Sequence, residues 1–91
     1  SRSNISKGTL NRTMVHPRDV FREAIISNAS SIIVAHNHPS GDPTPSKLDR
    51  ELTRELVNAG AAIHIPVLDH IIIGTSNPPY FSFKEHGFIS T

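Results

Sequence analysis

Ser31-Ile32-Ile33-Val34-Ala35-His36-Asn37-His38-Pro39-Ser40-Gly41-Asp42-Pro43-Thr44-Pro45-Ser46-Lys47-Leu48-Asp49 changes character twice along its length. Its first five residues are rich in β-branched side chains and nearly all apolar, the profile of a strand buried on both faces. That run ends at two histidines two residues apart. Residues 39–45 then carry three prolines and a glycine, where neither a helix nor a central strand continues. A helix is expected from Ser46, with Leu48, Leu52, Leu56 and Ala59 on its core side and Gly60 as its C-terminal cap.

Working outward, His16-Pro17 marks a helix start, with Pro17 near the first helical position. Val20, Phe21, Ala24 and Ile25 form its apolar stripe, and Asn28 is its expected stop. Residues 1–7 alternate weakly and read as a marginal strand ending at Gly8. Downstream, Ile63-His64-Ile65-Pro66-Val67-Leu68 and Ile71-Ile72-Ile73-Gly74 read as one bent strand or two, the bend near Pro66 or Asp69-His70. Pro78-Pro79 marks a loop before a last strand at Tyr80-Phe81-Ser82-Phe83. The sum is an α/β fold, a mixed β-sheet flanked by helices.

Ninety-one residues allow one domain with one modest core. At 36% apolar and 19% charged residues, the chain lacks the profile of a disordered tail. No apolar run approaches the roughly 20 residues of a membrane span. Cysteine is absent, which removes disulfides and thiolate ligands and leaves the cytoplasm as the default location. A net charge of +1 gives no footprint for direct nucleic-acid contact. Six histidines are the one compositional oddity, and histidine is the commonest metal ligand.

His36 and His38 point the same way if the backbone stays extended, and the stiff loop can fold Asp49, in the first turn of the next helix, back toward them. Two imidazoles and a carboxylate leave the fourth corner of a zinc tetrahedron open, which distinguishes a catalytic site from a closed structural one. Water at such a corner has a pKa near about 7. The competing explanation is local. Strand-end histidines cap backbone groups, and Ser46-Lys47-Leu48-Asp49 is a capping-box pattern that needs no metal. Asp69-His70 has the form of a pair in which a carboxylate sets an imidazole's tautomer, or of a plain strand bend. His16 and His86 read as turn or cap residues and His64 as solvent-facing. Arg50 and Arg54, with Glu51 and Glu55 beside them, read as a solvated face.

The stretch at 36–49 resembles the H-x-H-P and S-x-x-D signature of JAMM (MPN+) zinc metalloproteases, in the form found in the RadC family of bacterial proteins. Gly8-Thr9-Leu10-Asn11, Val15-His16-Pro17-Arg18, Leu68-Asp69-His70 and Gly74 extend the likeness over nearly the whole chain. The resemblance implies a JAMM/MPN (cytidine-deaminase-like) sandwich over residues 1–91. It also implies zinc held by His36, His38 and Asp49, and a hydrolase of peptide or isopeptide bonds. Ser46 would then hydrogen-bond the attacking water or the oxyanion. The family's older DNA-repair label and a catalytically weak metal-binding module are the alternatives.

Two departures from the family stand out. The catalytic glutamate expected about five residues before the Gly-Thr pair falls at Ser3, and residues 1–18 contain no Asp or Glu. Asp42 and Glu51 are the nearest substitutes in sequence. The chain also looks N-terminally truncated, the C-terminal part of a longer one. Strand 1–7 would then be an exposed edge open to homodimer pairing.

Overall fold

The computed structural model describes residues 9–10 and 16–90. The expected strand at 1–7, the homodimer edge it would offer and the position of Ser3 lie outside the described residues. Six elements follow in chain order: β1 (Thr9–Leu10), α1 (Pro17–Ile26), β2 (Ile32–Asn37), α2 (Lys47–Ala62), β3 (Val67–Ile73) and β4 (Tyr80–Ser82). They form one mixed sheet in the order β1-β2-β3-β4, parallel across the first two pairings and antiparallel across the last. This is the expected α/β class.

Helix α1 begins with Pro17 in its first turn, where a missing N–H costs nothing, and it buries Val20, Phe21 and Ala24. Asn28 stops it as the sequence suggests. Its φ is +55°, and the N–H groups of Asn28 and Ala29 return to the carbonyls of Ile25 and Ala24.

Two expectations about α2 fail. Gly60 is not the cap: the helix runs to Ala62, and His64 takes the left-handed position at φ +61°. The Ile65 N–H then bonds back to the Gly60 carbonyl at 2.9 Å. Gly60 sits inside the helix, where a Cβ would lie 2.5 Å from the Ile65 carbonyl oxygen and 3.3 Å from Phe21 Cζ, so its role is to let the chain that leaves the helix turn back closely over it. Leu48 is not core either, being 67% exposed. Four residues advance a helix by about 40° beyond a full turn. A row of leucines four apart therefore drifts off the core face by its first member; Leu56 is buried as expected, Leu52 and Ala59 pack partly buried against the core, and Thr53 and Gly60 complete that face.

The third strand starts at Val67 and runs unbroken through Asp69-His70. The irregularity lies in its pairing, where the register slips between Ile32 and Ile33. On β2, burial alternates: Ile32, Val34 and His36 are buried, while Ile33 and Ala35 are half-buried, so the strand is not buried equally on both faces as its composition suggests. Val20, Phe21 and Ala24 of α1 and Leu56 of α2 join Ile32 and Val34 in one cluster with Val67, Ile72, Phe83 and Ile89. His36 and His70 are exceptions on this face, two buried imidazoles at the margin of an apolar core.

Candidate metal centre

The parallel pairing sets the site. β2 and β3 end side by side, with Asn37 opposite Ile73, and the His38 N–H bonds to the Ile73 carbonyl at 3.0 Å. The loop after His38 folds back over the start of the next turn, where the Gly41 carbonyl accepts from the N–H groups of Thr75 (2.6 Å) and Ser76 (3.1 Å). Gly74 permits this approach, since a Cβ there would overlap the Gly41 carbonyl oxygen and lie 2.9 Å from Pro43 Cδ. Gly74→Ala is therefore expected to push the loop outward, at about 1–3 kcal/mol in unfolding free energy, the usual cost of overpacking. Urea denaturation would measure it, and a variant as stable as the parent would contradict this packing role.

Asp42 stiffens that loop. Its Oδ1 accepts from the Thr44 N–H (3.0 Å) and hydroxyl (2.7 Å), while its own N–H donates to Ser40 Oγ at 3.2 Å. The Thr44 backbone and hydroxyl donors hold the Asp42 carboxyl below its usual pKa, which makes it a poorer proton acceptor. Its backbone matters more, because the Asp42 carbonyl accepts from His38 Nδ1 at 2.9 Å.

Helix α2 opens with a full capping box. Ser46 Oγ accepts from the Asp49 N–H at 3.1 Å, and the Ser46 N–H donates to Asp49 Oδ2 at 2.8 Å. The same carboxylate reaches both strand-end histidines. His38 Nε2 lies 2.9 Å from Oδ2, and His36 Nε2 lies 3.3 Å from Oδ1. The capping role and the metal role were rival readings of Asp49, and the side chain is placed for both. Burial works to raise the Asp49 pKa. The donors from Ser46, then the nearby His36 and His38, outweigh burial and hold the carboxyl below its ordinary value.

His36, His38 and Asp49 each offer an atom within 4.8 Å of the others, a spacing at which one ion can be shared. The donor chemistry fits a cation. A backbone carbonyl cannot donate, so the proton between His38 and the Asp42 carbonyl belongs to His38 Nδ1. In a neutral imidazole that leaves Nε2 with a bare lone pair, set against the lone pairs of Asp49 at 2.9 Å. Something positive, a proton or a metal ion, must lie between them. Among the described residues no fourth acidic or histidine side chain joins the group. Glu51 is exposed on α2, and Arg50, Arg54 and Glu55 are exposed beside it, as a solvated face should be.

Behind the site lies a contact the sequence only partly announced. His36 Nδ1 meets His70 Nε2 at 2.9 Å, and His70 Nδ1 meets Thr53 Oγ1 at 2.6 Å. His70 is fully buried and stacks on Phe83, with ring centroids 4.9 Å apart. With both ring nitrogens so taken, Asp69 does not set its tautomer. That carboxylate accepts instead from the His70 backbone N–H at 2.7 Å, from the Lys84 N–H at 3.0 Å and from the Ser82 hydroxyl, fixing the turn after β4. Thr53 was missed altogether. Its one signal was a polar residue four places after Asp49, hence on the same face of α2.

Burial, reinforced by His36, lowers the His70 pKa from 6.5 to about 4. A depressed histidine is neutral in the fold while the unfolded chain takes up a proton. Its contribution is whole above 6.5 and is lost as pH falls toward about 4, a change of about 3 kcal/mol. His36, lowered chiefly by burial, and Asp49 act in the same direction. Chelator-treated protein should thus unfold at lower urea at about pH 4.5 than at about pH 7. His70→Leu should flatten that dependence, and an equally steep curve in the variant would refute the assignment.

A mixed α/β sheet in which one parallel strand runs out into H-x-H, with a carboxylate brought up by the following helix, defines a domain of the JAMM type. The chain matches the family described as RadC-like JAB domain over residues 1–88 and belongs to it. It is 55% identical over 86 residues to a UPF0758 protein of Symbiobacterium thermophilum and 58% identical over 86 residues to one of Alkaliphilus oremlandii. Each alignment covers 94% of this chain and 36% of the relative. A UPF0758 protein of Thermotoga maritima is 53% identical over 85 residues, 93% of this chain and 37% of that protein. The chain thus spans little more than a third of the length of these curated relatives. Among the described residues no helix is long and apolar enough to cross a membrane.

Proposed function

We propose that this domain holds one zinc ion through His36 Nε2, His38 Nε2 and a carboxylate oxygen of Asp49, and that it hydrolyses peptide or isopeptide bonds. The observation that carries the reading is the facing of His38 Nε2 and Asp49 Oδ2 at 2.9 Å while the His38 Nδ1 proton is committed to the Asp42 carbonyl. When bound, zinc supplies Lewis-acid polarisation of the scissile carbonyl and water of near-neutral pKa. The protein's own groups do the rest. The loop from Pro39 to Pro45 fixes the His38 ring through the Asp42 carbonyl, and the capping box fixes the Asp49 carboxylate. Ser46 Oγ accepts from the Asp49 N–H, so its single hydroxyl proton remains available to donate to a developing oxyanion.

Equilibrium dialysis of chelator-stripped protein should return one zinc per chain, and cleavage of a peptide library should appear with the metal and fall in Ser46→Ala. A chain that takes up no zinc would end this reading. A second reading, a metal-bearing interaction module with little turnover, is favoured by the missing acid in residues 1–18 and the lack of another carboxylate in the described cluster. Zinc uptake without cleavage would point to it. Direct nucleic-acid contact has no such support, since the arginines of α2 alternate with glutamates at a net charge of +1.

A further inference from the structure

We propose that His70 and Thr53 are positioning residues that lock His36 in the tautomer whose Nε2 is bare, and that they do so before any metal arrives. The direction of the chain follows from its far end. Thr53 Oγ1 lies 2.8 Å from the Asp49 backbone carbonyl, which can only accept, so the single hydroxyl proton of Thr53 goes there. Thr53 Oγ1 must then accept at 2.6 Å, and the proton belongs to His70 Nδ1. A neutral His70 has only a lone pair left on Nε2, so the proton in the 2.9 Å contact is that of His36 Nδ1. His36 Nε2 is left unprotonated toward Asp49 Oδ1, at 3.3 Å, long for a hydrogen bond.

The path closes on itself. It leaves the backbone of Asp49, passes through Thr53, His70 and His36, and returns to the carboxylate of Asp49. Helix α2 therefore presents its ligand and orients a ligand on the neighbouring strand in one rigid unit. Metal-bound histidines usually pass their second N–H to a carboxylate, a carbonyl or water. Here the acceptor is a buried imidazole, made competent only by the hydroxyl behind it. Both inner residues are buried, so water does not compete with these hydrogen bonds.

The inference rests on the proposed metal site for its purpose but not for its test. Nitrogen-15 shifts of His36 in the metal-free protein, at about pH 8 where histidines are ordinarily neutral, should report a proton on Nδ1 and none on Nε2. A protonated Nε2 there would overturn the proposal, since the chain would run the other way. In zinc competition against a chelator, His70→Leu should bind about 10–100-fold more weakly. His70→Gln, whose amide can both accept from His36 and donate to Thr53, should recover most of the loss. Thr53→Val, which keeps the shape and removes the hydroxyl, should weaken zinc by a smaller factor and remains readable if the His70 variants fail to fold. Equal affinity in the Leu and Gln variants, with Thr53→Val unchanged, would reduce both residues to packing. If the parent binds no zinc, the function proposed above fails while the His36 tautomer is still read.

Discussion

Asp49→Asn is expected to weaken zinc binding by more than about 100-fold, beyond the range usual for groups that only support a ligand. The amide keeps the shape of the carboxylate and can still accept from the Ser46 N–H, so the helix cap persists. What disappears is the negative charge facing two imidazole nitrogens at 2.9 and 3.3 Å. His38→Ala should lose the metal as completely by a different route, leaving the capping box intact and the Asp42 carbonyl to water. Helical circular dichroism should be nearly unchanged in both variants, and metal analysis after dialysis should find both empty. Full zinc content in either would mean that these side chains do no more than stabilise the start of α2.

Ser3→Glu is expected to raise turnover of the zinc-loaded protein by about 10²–10⁴-fold, the usual contribution of a positioned proton-transfer group. The family resemblance aligns this residue with the acid that takes the proton from water and returns it to the leaving amine. No Asp or Glu precedes Asp19 in this chain. Asp42 is a poor replacement, because Thr44 occupies its carboxylate, and Glu51 stands outside the metal cluster on an exposed face of α2. Initial rates on a peptide library, parent against variant at equal zinc loading, would measure the gain. No gain would favour the interaction module over a hydrolase lacking one proton carrier.

Much of the site was legible because it is written locally. His36 and His38 are two residues apart at a strand end, and Asp49 follows a proline-rich loop too stiff to wander. The capping-box pattern was legible for the same reason, since Ser46 and Asp49 lie three residues apart. Leu48 and Gly60 misled because local patterns carry a tertiary assumption. The leucine row places Leu56 correctly, yet the packing leaves Leu48 in solvent and turns Thr53 inward, and a histidine takes the left-handed position expected of a glycine.

The sequence by itself determined the α/β class, the order of the elements and the three groups that meet. Each of these follows from spacing along the chain or from the presence of a residue type. Only the tertiary structure decided what stands behind His36. His70 arrives from the neighbouring parallel strand and Thr53 from the helix packed over it, 34 and 17 residues from their partners in the contact chain. Which residues oppose one another across a parallel pair depends on register and on the slip at Ile32/Ile33, set by the packing of the whole core.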